Sequence, residues 1–428
     1  MARILVTGAA GFIGCHVVAA LLERRHSVVG VIRGEVPPSL AGHPRFKPLR
    51  RDLTRLTTPE SWQDIVSGVD AVVNCAGVLQ ESAVRTAAVH EHAPKALFTA
   101  AKEAGVTRLI QVSAISADAD TAYAKTKTAA DESLMAMDAD WVVVRPSLVY
   151  GRGSYGGTSL IRGLAALPGA ILLPGDGAQE FRPVYMDDLT GILCELCETR
   201  TIKRYIIEPV GPDIMTMRDV LETTRQWLEL PPARTVKVPM VLIKTAAKIG
   251  DILGWTVVNS TAVAQLIHGN SASSGSFAGL YAPAARSMTD VFTAFPSSVQ
   301  DRWHARLVLI APLITATLAL MWLTFGVIGI FKGEPLAASI AEAFGRHSVD
   351  PRIFAWGGSI IEILVALLVV SGLPTRWLLA VQLGVMVVFT AVLTMALPHL
   401  WLDPLGPLVK NIPLLVLICV WAAVRARR

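Results

Sequence analysis

The chain is predicted to be an α/β domain on a doubly wound parallel sheet with a small C-terminal subdomain, followed by an all-α bundle of four transmembrane helices. Three observations lead there. Over residues 1–150 short apolar runs alternate with stretches of helical spacing, and several runs are continuously apolar, as strands covered on both faces should be. The first of them ends in a glycine-punctuated turn, Gly8–Gly14, that opens straight into a helix. From Arg306 onward, Leu307–Ile330, Ile353–Leu373 and Trp377–Leu397 are each long enough to cross a hydrocarbon core of about 30 Å.

Taken in order, the strands are Arg3–Thr7, Ser27–Ile32, Phe46–Arg50, Ala71–Asn74, Leu109–Ser113 and Trp141–Arg145, with helices such as Gly11–Arg24, Ala87–Ala104 and Tyr123–Met137 between them. Strand and helix in alternation predict a parallel sheet. Residues 151–235 are Gly- and Pro-rich and read as the smaller part, laid over the carboxyl edge of the sheet, where such folds bind ligands. Residues 236–302 follow as an amphipathic helix and linker. Val241, Leu242, Thr245, Ile249, Ile252 and Leu253 share one side of that helix, with Lys244, Lys248 and Asp251 on the other. It suits packing on the protein or lying in a membrane interface. The stretch 269–280 reads as a flexible loop. Residues 303–428 form the membrane part. Its fourth span, Leu405–Val424, is interrupted by Lys410, Asn411 and Pro413.

Composition agrees with that division. Mean hydropathy is +0.49, with 52% apolar and 17% charged residues, too apolar for a purely soluble enzyme. Residues 302–428 hold ten Lys/Arg against five Asp/Glu, leaving 29 of each sign in residues 1–301. The first part is therefore neutral and offers nucleic acid no electrostatic footing. Five cysteines do not make a disulfide framework. Cys194 and Cys197 form a C-x-x-C inside a run, Asp188–Thr199, that reads as a helix; no second pair exists and no metal site is predicted. The N-terminus shows no apolar core of signal-peptide length, which predicts a cytoplasmic first domain.

The Gly8–Gly14 turn is what a dinucleotide pyrophosphate needs. Gly8 allows the tight turn, Gly11 lets backbone approach the phosphates, Gly14 packs the helix close to the strand, and the helix N-terminus supplies N–H donors. Ala10, Phe12 and Ile13 belong to the same cradle. Arg33, at the end of the second strand, stands where these folds read the adenosine ribose; an Arg there suits the 2′-phosphate of NADP, with NAD as the alternative. Asp52 and Leu53 follow the third strand, Asp52 placed to accept from the adenine amino group. Asn74, Ala76 and Gly77, after the fourth, would line the cofactor's path. Tyr123 and Lys127 stand at i and i+4 on one helix face, where a lysine ammonium would lower the phenol's pKa and make it a usable acid/base.

These motifs, together with Arg145-Pro146-Ser147 and Arg182–Asp188, resemble the extended or atypical short-chain dehydrogenase/reductases, the NAD-dependent epimerase/dehydratase group, over residues 1–235. The resemblance implies a Rossmann domain in which Tyr123 is the acid/base, Lys127 holds the nicotinamide ribose, Pro146 and Ser147 lie along the cofactor, and Ser113 (or Ser116) polarises a substrate carbonyl. Ser113 lies only ten residues before Tyr123. That short form is similar to the branch containing the NADPH-binding accessory subunit of respiratory complex I, which binds nucleotide without evident turnover. The last 125 residues resemble the DoxX-like membrane family, through Trp322, Gly326, a glutamate in the second span and Lys410-Asn411.

Glu362 falls near mid-membrane, where a lone charge is costly and normally paired. Lys410 is its expected partner, with Gln382, His399 and Asp403 as secondary candidates; a buried ion pair and a proton or quinone site are the two readings. Four spans put both termini in the cytoplasm, with Arg376, Arg425, Arg427 and Arg428 inside and Lys332, Arg346 and Arg352 outside. The functional expectation is an NAD(P)-dependent oxidoreductase of the inner membrane acting on a small or lipid-like substrate, a quinone included. The alternatives are a non-catalytic NADP(H)-binding sensor or assembly subunit of a membrane complex, and a nucleotide-sugar epimerase or dehydratase.

Overall fold

The computed structural model describes residues 1–78, 82–115, 121–252, 258–269, 285–346 and 350–425. Ser116, Leu253, the stretch 270–280 and the last two arginines, all invoked above, lie outside the described residues. The chain divides into two units, Met1–Ala305 and Arg306–Arg428.

In the first unit the apolar runs become strands β1 (Arg3–Thr7), β2 (Ser27–Ile32), β3 (Phe46–Arg50), β4 (Ala71–Asn74), β5 (Arg108–Val112) and β6 (Trp141–Val144). A seventh strand, β7 (Tyr205–Ile207), was not expected. It pairs parallel with β6, so the order is β7-β6-β5-β4-β1-β2-β3 and every pairing is parallel. Strands β4, β5 and β6 are buried along their whole length. Helix α1 (Phe12–Glu23) packs Val17, Val18 and Leu21 on one face of the sheet. Helix α2 (Ala93–Glu103) packs Ala96, Leu97, Ala100 and Ala101 on the other, beside Trp62. Helix α3 (Ala122–Met135) carries Tyr123 and Lys127 and is capped by Thr121, whose hydroxyl accepts from Ala124 N–H.

Two parts of the region read as a separate small subdomain belong instead to the main core. Besides β7, helix α4 (Met186–Glu198) buries Leu189, Ile192 and Leu193 in the α1 layer, with Cys194 and Cys197 among them. Burial pushes the Cys194 thiol up to about 12 and holds the Cys197 thiol well above its ordinary range, so the C-x-x-C is inert packing. At three residues, β7 is too short to show a strand period in a Gly- and Pro-rich stretch.

The segment Met240–Ile252 is a helix, but its buried residues are Ala247 and Gly250, while Val241, Leu242 and Ile249 are exposed. A Cβ at Gly250 would meet Val258 O at 1.8 Å, so close backbone approach chose the buried side rather than side-chain bulk.

Among the described residues of the second unit, three helices are long and apolar enough to cross a membrane: Ile310–Lys332, Pro351–Val370 and Thr375–Ala396. Helix Asn411–Arg425 is apolar but shorter, and an unexpected helix, Glu334–Ala343, lies between the first two. The unit's core holds Leu318, Trp322, Val369, Leu378, Ile418 and Trp421. Trp322 Nε1 donates to buried Gln382 at 3.3 Å, and Trp421 Nε1 to Thr315 at 3.0 Å. The expected Glu362–Lys410 pair does not form: Lys410 is exposed, and among the described residues Glu362 has no hydrogen bond or ion pair.

Candidate functional site

The glycine turn sits at the carboxyl end of β1, in the middle of the sheet. Gly8 has φ +64°, and a Cβ there would meet the Ala76 backbone at 2.9 Å; one at Gly14 would meet Gly8 O at 2.2 Å. Gly11 N–H donates to Gly8 O at 2.8 Å and caps α1, so the turn closes on itself with the helix N-terminus open at its mouth. The cradle is thus a space that side chains would fill, and its residues suit an anion held by backbone N–H groups.

The loop after β4 closes the other wall. Asn74 is buried and central: its side-chain oxygen accepts from the Thr7 hydroxyl and from Ala76 N–H, and its Nδ2 donates to Gln111 at 2.7 Å. Lys127 Nζ donates to Ala76 O and Val112 O, both at 3.1 Å, and so ties α3 to the ends of β4 and β5. Burial lowers its pKa. A Cβ at Gly77 would point at Lys127 Nζ (3.7 Å) and His90 Nε2 (3.8 Å). Pro146 and Ser147 are buried at the end of β6, where Ser147 N–H donates to Pro209 O.

Two expectations about the acid–base group change. Tyr123 is half-buried, and burial, then the charge of Asp131, push its phenol up to about 12 rather than down. The Lys127 ammonium points to the Ala76 and Val112 carbonyls rather than to the phenol. The Ser113 hydroxyl donates to Asp131 Oδ2 at 2.9 Å, so its one proton is committed to that carboxylate instead of a substrate oxygen. Asp131 is fully buried and also receives Arg145 Nε at 3.1 Å. It lies at i+8 from Tyr123 and i+4 from Lys127, a spacing that sequence reading overlooked.

His90 was also missed. It is fully buried in a π-turn, Ala88–His92, between a short helix and α2. Its Nε2 accepts from Val78 N–H at 2.8 Å, so Nδ1 carries the proton and donates to Thr126 Oγ1 at 3.1 Å. Thr126 in turn donates to Tyr123 O, and the His90 ring meets the Tyr123 ring edge-on at 5.1 Å. Burial, then the Lys127 charge, hold its pKa down at about 2, so it is neutral. Nothing in the spacing distinguishes His90 from His92; the π-turn, a feature frequent at functional sites, is a structural signal.

Toward the β3 edge of the sheet, Arg33 is exposed after β2. Asp52 caps a short turn by accepting from Thr54 N–H at 3.0 Å, with Leu53 half-buried beside it. Arg85 Nη2 lies 3.8 Å from the Asp52 carboxylate. The bond from Thr54, with Arg85 and Arg33 adding to it, keeps Asp52 below the usual carboxylate range.

Residues 8–162 match the family model described as NAD(P)H-binding, and residues 319–419 match the DoxX-like family. The chain joins an NAD(P)-binding Rossmann domain to a DoxX-like domain. It is 24% identical over 263 residues to a ceramide reductase of Caulobacter vibrioides, covering 60% of this chain and 80% of that one. It is 27% identical over 184 residues to a 3-beta-hydroxysteroid dehydrogenase of Mycolicibacterium neoaurum, covering 36% and 49%. With the mitochondrial NADH dehydrogenase [ubiquinone] 1 alpha subcomplex subunit 9 of Arabidopsis thaliana it shares 26% over 263 residues, covering 58% and 63%. The chain therefore spans most of the first relative's length, but about half of the second's and under two thirds of the third's. The NAD(P)H-binding match spans the glycine turn and α3, and the DoxX-like match spans most of the apolar helices.

Proposed function

We propose that the NAD(P)-binding domain is an NADP(H)-dependent oxidoreductase, tethered to the membrane, acting on the carbonyl or alcohol of a lipid-like molecule. The observation that carries this reading is the convergence of the Gly8–Gly14 cradle, the Ala76-Gly77 wall and the Tyr123/Lys127 face at the carboxyl ends of β1, β4 and β5. A bound nicotinamide supplies or accepts the hydride. Tyr123 hands its phenolic proton to the substrate oxygen as the carbonyl is reduced, and takes it back in the opposite direction. Lys127, fixed by Ala76 O and Val112 O, is the group for the nicotinamide ribose. Arg33 and Arg85 flank the position of a 2′-phosphate and support NADP over NAD. The lipid-like substrate is supported by the membrane tether and by the names of the ceramide reductase and hydroxysteroid dehydrogenase relatives. We place helix Asn411–Arg425 as a fourth span, with the NAD(P)-binding domain and C-terminus on the cytoplasmic side of the inner membrane.

A second reading rests on the committed Ser113 proton and the raised Tyr123 phenol: a nucleotide-binding subunit of a membrane complex that turns nothing over, as the kinship with the complex I subunit allows. One set of measurements separates them. Full-length protein in detergent is titrated with NADPH, then given a long-chain ketone and a short-chain quinone while NADPH oxidation is followed. The first reading expects turnover that Tyr123→Phe abolishes with NADPH affinity intact. Unchanged turnover in that variant sinks the role of Tyr123; tight binding with no oxidation in the wild type selects the second reading.

A further inference from the structure

The loop Gly151–Gly157 and the segment Arg286–Ala305 are joined by contacts that the proposed chemistry does not use. Arg162 is nearly fully buried, and its Nη2 donates to Gly151 O and Arg152 O, both at 2.9 Å. Its Nη1 donates to Asp301 Oδ1 at 2.9 Å, and its guanidinium covers the Trp227 ring at 4.6 Å. Asp301 is itself fixed, accepting from Ser298 N–H at 2.9 Å and Ser298 Oγ at 2.7 Å. The far end of the loop reaches the phosphate turn: Tyr155 stacks on Phe12, the first residue of α1, with ring centroids 6.3 Å apart, although it is 62% exposed. Gly153 also faces Phe12; a Cβ there would lie 3.9 Å from its ring.

The loop therefore has a buried cation at its base and an aromatic contact to the glycine turn at its tip. A buried guanidinium that satisfies backbone carbonyls needs a counter-charge to stay where it is. Asp301 supplies that charge, and it comes from the segment that leads into the second unit at Arg306.

We propose that Asp301 is a positioning residue for nucleotide binding, holding Arg162 so that the Gly151–Gly157 loop lays Tyr155 against the phosphate turn. Asp301 touches neither nucleotide nor substrate; it acts through Arg162 and the loop. The inference rests on the nucleotide site proposed above, and the wild-type titration tests that site first.

The experiment uses the full chain in detergent, with NADPH as the probe, and compares wild type, Asp301→Asn, Tyr155→Ala and the double variant. Affinity is read by titration and loop mobility by hydrogen exchange of the peptide covering 151–157, with β1 and β5 peptides reporting global folding. Asp301→Asn is expected to weaken NADPH roughly tenfold and to speed exchange in the loop while the strands stay protected. Tyr155→Ala, an exposed and fold-safe change, is expected to lose affinity to a similar extent, and the double variant to be no worse than the weaker single one. Unchanged affinity in Tyr155→Ala overturns the proposal whether or not Asp301→Asn folds, because the loop would then contribute nothing. Losses that multiply in the double variant overturn it as well, since Asp301 would act by another route. A wild type that binds no NADPH refutes the nucleotide reading itself, whereas a wild type that binds and an Asp301→Asn that binds equally refutes this inference alone.

Discussion

The phosphate end of the candidate site is made of backbone, and the acid–base end is made of side chains. At the first, Gly8 and Gly14 leave no room for a Cβ, and the turn is closed by its own Gly11 N–H. At the second, each group answers to a neighbour: Lys127 to two carbonyls, Ser113 to Asp131, Tyr123 to burial and the Asp131 charge. The difference teaches where function is over-determined. A backbone turn of this kind has one arrangement, set by sterics, and needs no ligand to take it. A side-chain constellation has as many arrangements as it has partners, and here Ser113 and Lys127 are each held by partners within the fold.

Breaking the first half should have the largest effect. Gly14→Val drives a branched side chain into Gly8 O, a backbone atom that cannot step aside. We expect a destabilisation of about 3 kcal/mol and no detectable NADPH binding, read by thermal melts and titration. Retained affinity would mean that the cradle is softer than its glycines imply.

The side-chain half is exposed instead by pH. His90 has an ordinary value of 6.5 and a folded value near 2. A depressed value means that the neutral form is favoured by folding, so its stability is present above pH 6.5 and is lost as pH falls. Between pH 6.5 and 5 the loss approaches about 2 kcal/mol, one proton's worth per unit. His90→Gln should flatten that part of the profile, and melting temperatures at pH 7 and pH 5 for both proteins check it. Equal pH sensitivity in the variant would remove His90 from the network around Tyr123.

What was legible in the sequence follows the same division. The strands β1–β4 and the glycine turn could be read because continuous apolar runs and sterically required glycines leave few alternatives. Strand β7, three residues long inside a Gly- and Pro-rich stretch, carries too little periodicity to show. The Tyr123/Lys127 face was visible from helical spacing, but the partners that decide its behaviour were not: Asp131 is one more turn along, and His90 comes from another helix through a π-turn. In the second unit hydropathy located the long helices, while the Trp322–Gln382 bond and the solitary Glu362 depend on helix rotation, which apolar composition does not encode.

Ser113→Ala sharpens the comparison by a smaller step. It removes one of the two groups that donate to Asp131 Oδ2 and leaves Arg145 alone on that oxygen. A loss of about 1–2 kcal/mol is expected, with NADPH affinity and any turnover unchanged. A fall in kcat at full stability would return Ser113 to the substrate and make the acid–base half more complete than its hydrogen bonds indicate.

The smallest effect tests the edge where backbone gives way to surface charge. Asp52, kept ionised by Thr54 N–H, Arg85 and Arg33, would repel a 2′-phosphate on its own. Two cations facing one anion reverse the sign, so NADPH should gain where NADH gains nothing. Arg33→Ala is expected to weaken NADPH roughly tenfold and leave NADH unchanged. Because Arg33 is exposed, the preference should shrink as salt is raised from low ionic strength to about 0.5 M, where screening acts within a few ångströms. A wild type with equal affinity for the two nucleotides, at every salt concentration, would put a ribose hydroxyl against Asp52 and leave Arg33 as a surface charge.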